Sequence, residues 1–277
     1  TDANNCSVTN TVTLTDPAVL SSSVTVTNDS CNGDCNGTAT VTASGGTVPY
    51  TYLWCSGQTT SSVTGLCAGT CSVIITDANG CTQIDSAVIT EPALLVVNIS
   101  GINPLCTLSC DGTVSSVPTG GTAPYTFLWN PSGCTSSLCT GLCAGTFTVL
   151  VTDANGCTAI DSVTLVDPVI TTSVTVTNAS CNGNCDGTAS VTVSGGASPY
   201  NYLWCNGATT SSVTGLCAGT CTVLITDANG CTKIDSAVIT QPNVLASNIT
   251  GTDPSCNGFC DGSVSSSPTG GTPPYTF

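Results

Sequence analysis

The sequence contains no histidine, and Lys233 is the only basic side chain among its 277 residues. Sixteen acidic residues give a formal net charge of −15, which repels nucleic acid and anionic lipid. The usual general bases are missing, as is the lysine that an isopeptide cross-link in each repeat would need. We therefore expect neither an enzyme nor a nucleic-acid-binding protein.

Long apolar runs and helix-favouring composition are also lacking. No apolar run reaches the roughly 18 residues that a membrane-spanning helix needs, so we predict no membrane insertion. Charged residues make up 6% of the chain, too few for a solvated acidic tail. Thr, Ser, Val and Gly dominate instead, a composition that favours strands and turns over helices.

What the chain does contain is a cysteine-framed unit that repeats about every 75 residues. A Cys-x3-Cys loop opens each unit, and a Thr-Asp-Ala-Asn turn followed by cysteine closes it. The opening cysteines are Cys31, Cys106, Cys181 and Cys256, and the closing cysteines are Cys6, Cys81, Cys157 and Cys231. A repeat of this length takes precedence over a domain count based on total length.

Two kinds of unit, A and B, alternate. The predicted segments are 1–17 (the C-terminal end of a B-type module), 18–92 (module A1), 93–168 (module B1), 169–242 (module A2) and 243–277 (the N-terminal part of a further B-type module, called B2). We interpret the chain as a window on a longer array. The modules meet at X-Pro pairs without a Gly/Ser linker, which predicts a semi-rigid array.

Each module is predicted to be a small immunoglobulin-like β-sandwich, so the fold class is all-β. In A1 short alternating segments run from Ser23–Thr27 to a last strand at about 82–90, separated by Gly, Asn and Pro turns. Tyr50, Tyr52 and Trp54 share one strand face, which we predict to be core. A carbohydrate-binding platform is the alternative for these aromatics.

The 21 cysteines suit modules of this size, because a domain of about 75 residues buries too little apolar surface to be stable by its core alone. With no histidine present, they predict an oxidised framework and an extracellular location. Zinc is the alternative, but the Cys-x3-Cys spacing differs from the usual Cys-x2-Cys.

Comparison of A with B predicts part of the disulfide pairing. Two cysteines that are present together in one module type and absent from the other are most simply explained as disulfide partners. These pairs are Cys55–Cys71 and Cys205–Cys221 in the A modules, and Cys134–Cys139 in B1. Cross-links between neighbouring modules or chains are the alternative for these cysteines.

Four further cysteines are shared by both module types, and we predict that they pair within each module. The predicted pairs are Cys31–Cys81, Cys35–Cys67, Cys106–Cys157, Cys110–Cys143, Cys181–Cys231 and Cys185–Cys217. The alternative for the shared set is Cys31–Cys67 with Cys35–Cys81 and their equivalents. The spacing leaves both open.

The closing turns carry acids, and we predict no cofactor there. Turn Asp and Asn residues commonly bond their own backbone. Calcium is the alternative, since carboxylate and amide oxygens bind it, although one acid per turn is sparse. The residues concerned are Asp77, Asn79, Asp153, Asn155, Asp227 and Asn229.

Module A2 contains five motifs in a fixed order: Cys181–Gly187, Ser194–Gly196, Pro199–Trp204, Gly215–Thr220 and Thr226–Cys231. This ordered set resembles the SprB-repeat family. That family occurs in very large surface proteins of Bacteroidetes, including gliding-motility adhesins, so the resemblance implies export to the cell surface. Family members usually keep two frame cysteines, and the four extra cysteines per module here favour a hardened extracellular fibre.

Three serines resemble the Asp-Ser/Thr-apolar O-glycosylation signal of that phylum. They are Ser86, Ser162 and Ser236, each at the same place in its module. The alternative is that they are ordinary strand residues.

The sequence thus predicts a structural extracellular repeat protein that forms a semi-rigid, disulfide-hardened filament or stalk on a bacterial surface. Its expected partners are copies of itself or neighbouring modules of a longer chain. The alternative function is a multivalent cell-surface adhesin that binds glycans or surfaces, with avidity from repetition.

Overall fold

The computed structural model describes residues 1–277 and consists of twenty β-strands without a helix. No element is therefore a helix that could cross a membrane. The strands of A1 are β1 (Ser21–Thr27), β2 (Gly37–Ser44), β3 (Thr51–Trp54), β4 (Ser62–Leu66), β5 (Gly69–Thr76) and β6 (Thr82–Ile89). Those of B1 are β7 (Ile99–Ile102), β8 (Gly112–Ser116), β9 (Thr126–Asn130), β10 (Leu138–Leu142), β11 (Gly145–Thr152) and β12 (Thr158–Leu165). Those of A2 and B2 are β13 (Thr171–Thr177), β14 (Gly187–Ser194), β15 (Asn201–Trp204), β16 (Ser212–Leu216), β17 (Gly219–Thr226), β18 (Thr232–Ile239), β19 (Ile249–Thr252) and β20 (Ser263–Ser266).

Module A1 is built from two three-stranded sheets, in the orders β1-β2-β4 and β3-β5-β6. Module A2 repeats this plan as β13-β14-β16 and β15-β17-β18, and B1 as β7-β8-β10 and β9-β11-β12. In B2, β19 pairs with β20. The predicted all-β, immunoglobulin-like fold class is confirmed.

The predicted aromatic strand supplies the core of A1. Trp54 is 2% exposed, and its indole N–H donates to the carbonyl oxygen of Thr60 at 2.9 Å. Val73 and Ile75, two residues apart on β5, are fully buried beside it, and burying a side chain of this size stabilises a fold by about 1.5–3 kcal/mol. Because Trp54 lies inside the sandwich, the carbohydrate-platform alternative is wrong for this residue.

A Gly-Gly turn holds the start of A1 against its closing turn. Gly45 has φ +72°, and a Cβ there would clash with the carbonyl oxygen of Val19. At Gly46, φ is +58° and a Cβ would lie 2.8 Å from Oδ2 of Asp77. The Tyr50 hydroxyl donates to the carbonyl oxygen of Gly45 at 2.5 Å. Both positions therefore require glycine.

Replacing Gly45 by alanine is expected to lower the free energy of unfolding by at least about 1–3 kcal/mol, the usual cost of a strained backbone, because a clash adds to the strain. The midpoint of urea unfolding would measure the loss. Gly57→Ala is the matched control, since Gly57 has φ +80° but a Cβ added there would meet no atom within 4 Å. Equal losses in the two variants would contradict the role given to the close approach.

Candidate functional site: the junction between modules

The opening loop of each complete module docks on the C-terminal end of that same module. In A1 the side-chain amide of Asn32 donates to the carbonyl oxygen of Pro92 at 3.1 Å. The N–H of Gly33 donates to Oε2 of Glu91 at 2.6 Å. The equivalent bonds in A2 join Asn182 to Pro242 and Gly183 to Gln241, and in B1 they join Thr107 to Pro168 and Leu108 to Asp167. The opening cysteine is thereby held where the next module begins.

The closing turn lies at the opposite end of the module, beside its first residues. In A1 the Asp77 carboxylate accepts the N–H groups of Thr47 at 2.9 Å and Cys81 at 2.8 Å. The N–H of Gly46 donates to the carbonyl oxygen of Ala18 at 2.6 Å. In B1, Asp153 accepts the N–H groups of Thr122 and Cys157 in the same way. Each closing turn therefore faces the module that precedes it.

Two disulfides consequently join one module to the next. Cys31 of A1 is bonded to Cys157 of B1, and Cys106 of B1 is bonded to Cys231 of A2. The sequence separations are 126 and 125 residues. The opening cysteine of one module thus bonds the closing cysteine of the following one.

The predictions of Cys31–Cys81, Cys106–Cys157 and Cys181–Cys231 are therefore wrong. Cys81 directly precedes β6, whereas the loop that carries Cys31 docks beyond the end of β6. Eight strand residues span about 26 Å at ~3.3 Å each, and disulfide-bonded Cα atoms lie about 4.4–6.8 Å apart. The strand is too long for closure within one module.

The other six disulfides lie within modules. The shared inner pairs are Cys35–Cys67, Cys110–Cys143 and Cys185–Cys217, and the type-specific pairs are Cys55–Cys71, Cys134–Cys139 and Cys205–Cys221. The alternative pairing of Cys31 with Cys67 and Cys35 with Cys81 is wrong. So is the alternative that placed inter-module links on the type-specific cysteines. Cys6, Cys81, Cys181, Cys256 and Cys260 are unpaired and exposed.

Polar contacts accompany each inter-module disulfide. At the first junction the side-chain amide of Asn155 donates to the carbonyl oxygen of Ser30 at 2.8 Å. At the second, Sγ of Cys231 lies 3.0 Å from the carbonyl oxygen of Leu105, and Cys231 is 8% exposed. An open cavity of about 400 Å³ is lined there by Thr107, Ile170 and Lys233 among others. The junction is therefore an ordered contact, and it bears the chain's one basic side chain.

The other predicted sites lie on the modules themselves. Ser86, Ser162 and Ser236 are exposed on the edge strands β6, β12 and β18. In the closing turn, where calcium was the alternative to no cofactor, both carboxylate oxygens of Asp77 already accept backbone N–H groups, and the Asn79 side chain donates to Oγ1 of Thr47 at 2.9 Å. The structure thus gives these turn residues a backbone-capping role.

The closing-turn carboxylates predict a loss of stability in acid. The N–H of Thr47 holds the pKa of Asp77 below its ordinary value of 3.8, and the N–H of Ala197 does the same for Asp227. The pKa of Asp153 is also lowered, because its backbone hydrogen bonds outweigh the opposing effect of burial. A pKa depressed by folding stabilises the fold above the unfolded pKa of about 3.9, and this contribution is lost as pH falls through the folded pKa.

We therefore expect the midpoint of urea unfolding to fall as pH is lowered from about 4 to 2. The triple variant Asp77→Asn, Asp153→Asn, Asp227→Asn should be less stable at neutral pH and show a shallower acid slope. Asp34→Asn is the control, because Asp34 lies in an opening loop and caps no closing turn. An unchanged acid slope in the triple variant would assign the effect to other groups.

Several solved structures are similar to this chain. The three N-terminal domains of the Hoc capsid protein of bacteriophage RB49 are 13% identical, with a TM-score of 0.42 over 80% of this chain and 99% of that chain. A 1.5-MDa bacterial ice-binding adhesin is 14% identical, with a TM-score of 0.37 over 82% and 98%. Sidekick-1 immunoglobulin domains 1–5 are 12% identical, with a TM-score of 0.35 over 82% and 60%.

Among curated proteins, none matches the sequence. A family model does match: the SprB repeat, at residues 23–59, 102–133, 173–209 and 248–277. Each matched segment contains one opening loop, and the closing cysteines all lie outside the matched segments.

Proposed function

The chain belongs to the SprB-repeat family, and from this premise we propose that it is a structural protein whose modules form a semi-rigid, disulfide-hardened filament or stalk on a bacterial surface. SprB repeats and eight disulfides support an extracellular repeat role, because disulfides persist in oxidising compartments. We propose that the protein is not an enzyme, which the all-β repeat architecture supports. Copies of the chain, or neighbouring modules of a longer one, are its proposed partners.

The inter-module disulfide carries this proposal. An X-Pro junction alone is held only by backbone preference. Here Glu91-Pro92 is additionally clasped by the opening loop of A1, and the same loop is bonded through Cys31 to Cys157. Bending at the junction would have to break hydrogen bonds and strain a covalent link. A flexible tether would need neither these hydrogen bonds nor the disulfide.

The second candidate, a multivalent adhesin, is favoured by a different observation. Leu53, Ile74 and Ile84 lie in register across β3, β5 and β6 on the outer face of the sheet, with 49%, 38% and 65% of each side chain exposed. The equivalent row in A2 is Leu203, Leu224 and Ile234. Exposed apolar rows mark contact surfaces, and repetition would multiply a weak contact into avidity.

Electron microscopy of native material tests the filament or stalk. We expect elongated particles that keep their straightness in oxidising buffer and become flexible after reduction with a thiol. Compact particles, or equal flexibility before and after reduction, would contradict the proposal. Binding of the same material to glycans and to cell surfaces tests the second candidate. Replacing Ile84 and Ile234 by serine should abolish adhesin binding and leave a structural filament straight.

We further propose O-glycosylation at Ser86, Ser162 and Ser236, supported by their exposure on edge strands. Intact mass of native protein should exceed the sequence mass, and an unmodified mass would end the idea. For calcium at Asp77 and its equivalents, the backbone hydrogen bonds of the carboxylates argue for little or no binding. Calorimetric titration with calcium should show neither heat nor a shift in melting temperature.

A further inference from the structure

An exposed set of aliphatic side chains recurs on one sheet of every complete module. On β5 the core is built by alternate residues, Val73 and Ile75, so the residue between them faces outward. Its cross-strand neighbours on β3 and β6 face the same way. Each such set forms an aliphatic row: Leu53, Ile74 and Ile84 in A1, Leu128, Leu150 and Ile160 in B1, and Leu203, Leu224 and Ile234 in A2.

The outer face that carries the aliphatic row bears no charged side chain, although the chain has sixteen acids. In A1 the row is flanked on one side by Thr51, Thr76 and Thr82, which pair across the three strands. On the other side it is flanked by Ser72 and Ser86, which pair across β5 and β6. The face is therefore a band of aliphatic groups between two bands of hydroxyl groups.

The acids of these strands point away from this face. Asp85 follows Ile84 in the chain, but successive residues of a strand face opposite sides, and the Asp85 carboxylate accepts the hydroxyl of Ser22 at 3.0 Å. In A2 the Asp235 carboxylate accepts the hydroxyl of Thr172 at 2.7 Å in the same way. A charged group of a partner would lose its water against the uncharged face without gaining a counter-charge. The face thus favours a partner surface of aliphatic and hydroxyl groups.

The opposite face of A1 has a different composition. The outward residues of β1, β2 and β4 are all serine or threonine. They bond one another across the strands, as Oγ of Ser21 does with Oγ of Ser44 at 2.8 Å and Oγ1 of Thr40 with Oγ of Ser62 at 2.9 Å. Such a face is satisfied by itself and by water. The face with the aliphatic row is the one that gains free energy when it is covered.

A second copy of this chain presents the surface that the aliphatic row favours. Two such faces stacked about 10 Å apart, with a two-fold axis along the row, place aliphatic groups on aliphatic groups and hydroxyls on hydroxyls. The contact is isologous, because the same patch serves both partners. One face is three strands wide and at most eight residues long, or roughly 350 Å². A specific interface buries about 800 Å² per partner, so each contact is weak and stable association needs several of the three faces.

We propose that the aliphatic row is a lateral docking surface for the same surface of a second copy of this chain, so that filaments associate side by side. This inference rests on the proposed filament function and names the surface through which its chains meet. The net charge of −15 opposes the association, and salt screens that repulsion. The unmodified protein is the species that pairs, because Ser86 lies on the same face and a sugar there would cover the row.

Sedimentation velocity of the full chain measures this association, with the five unpaired thiols blocked by iodoacetamide so that no covalent oligomers form. The weight-average sedimentation coefficient should increase with protein concentration, and it should increase further when salt is added. The serine variant, in which the row loses its exposed isoleucines, should stay monomeric under all these conditions. Its substitutions are Ile84→Ser, Ile160→Ser and Ile234→Ser.

A charge-swap experiment identifies the partner as the same face of a second copy. One variant carries glutamate and another carries lysine at the positions of Ile84, Ile160 and Ile234. Each variant alone should be monomeric, because like charges would meet in the contact. An equimolar mixture of the two should associate, because the contact then joins opposite charges.

The matched control has the net charge of the glutamate variant but carries its added acids on the opposite face. It combines the serine variant with three further substitutions on the edge strands β4, β10 and β16, namely Thr64→Glu, Thr140→Glu and Thr214→Glu. Its mixture with the lysine variant should stay monomeric. Tryptophan fluorescence shows that each variant is folded, since Trp54, Trp129 and Trp204 are buried in the parent.

Three results would overturn the proposal: a parent chain that is monomeric at every concentration and salt, a serine variant that associates like the parent, or a charge-swap mixture that associates no more than the control mixture. A monomeric parent that binds glycans through Ile84 would assign the surface to the adhesin function instead. The proposed function fails separately, because the straightness of single particles in electron microscopy does not depend on lateral contacts. Straight particles that do not associate would reject the docking surface alone.

Discussion

When the ends of the oxidised chain are pulled apart, the segment from Cys31 to Cys231 should reach a length of only about 80 Å, whereas the same segment of the reduced chain should reach about 700 Å, at ~3.5 Å per residue. The shortest covalent path through the disulfides sets the length of the oxidised segment. It crosses from Cys31 to Cys157, runs back fourteen residues to Cys143, crosses to Cys110, runs back four residues to Cys106, and crosses to Cys231. Only eighteen of the two hundred residues in this segment can be extended.

Single-molecule force spectroscopy measures the difference directly, with Cys6, Cys256 and Cys260 replaced by serine and with Cys81 and Cys181 kept, so that either pairing can form. If the opening and closing cysteines were instead bonded within each module, the extended length would be different. This pairing would leave the 25 residues from Cys81 to Cys106 and the 24 from Cys157 to Cys181 extensible, or about 190 Å with three disulfides. The method separates 80 Å from 190 Å, so a plateau near the longer value would contradict the junctions. Thiol reduction of the same molecules is the internal control.

The strands of this fold could be predicted from the sequence, and the junction could not. Alternation placed Trp54 inside correctly, because a period of two fixes which face of a strand is buried. The coincident appearance of Cys55 and Cys71 identified a pair, since neither cysteine has another partner unique to its module type. The first signal is local, and the second comes from comparing the two module types. Both can therefore be read without the tertiary structure.

The partner of Cys31 gives no such signal. Opening and closing cysteines recur with one common period, so closure within a module and closure onto the next module fit the spacing equally. Loop entropy favours the 50-residue closure over the 126-residue closure by only about 0.8 kcal/mol. What decides is that β6 separates the two ends of a module. That distance depends on which loop docks at Glu91-Pro92, a contact between residues about sixty positions apart.

Loss of an inter-module disulfide should be more destabilising than loss of a disulfide within a module. On the chain-entropy model a loop of 126 residues contributes about 5 kcal/mol, and the five-residue loop of Cys134–Cys139 about 2 kcal/mol. The double variant Cys31→Ser, Cys157→Ser should therefore lower the free energy of unfolding by more than Cys134→Ser, Cys139→Ser. The inner disulfides restrict the same unfolded chain, so the larger figure is an upper value.

The same variant should also separate the unfolding of A1 from that of B1. In the parent chain A1 cannot lose its opening loop without pulling on the closing turn of B1, and the junction hydrogen bond from Asn155 to Ser30 adds to this coupling. Guanidinium unfolding followed by tryptophan fluorescence reports both cores, since Trp54 and Trp129 are each almost fully buried. We expect one transition for these two modules in the parent and two in the variant. A single unchanged transition in the variant would mean that the disulfide links the modules without coupling their stability.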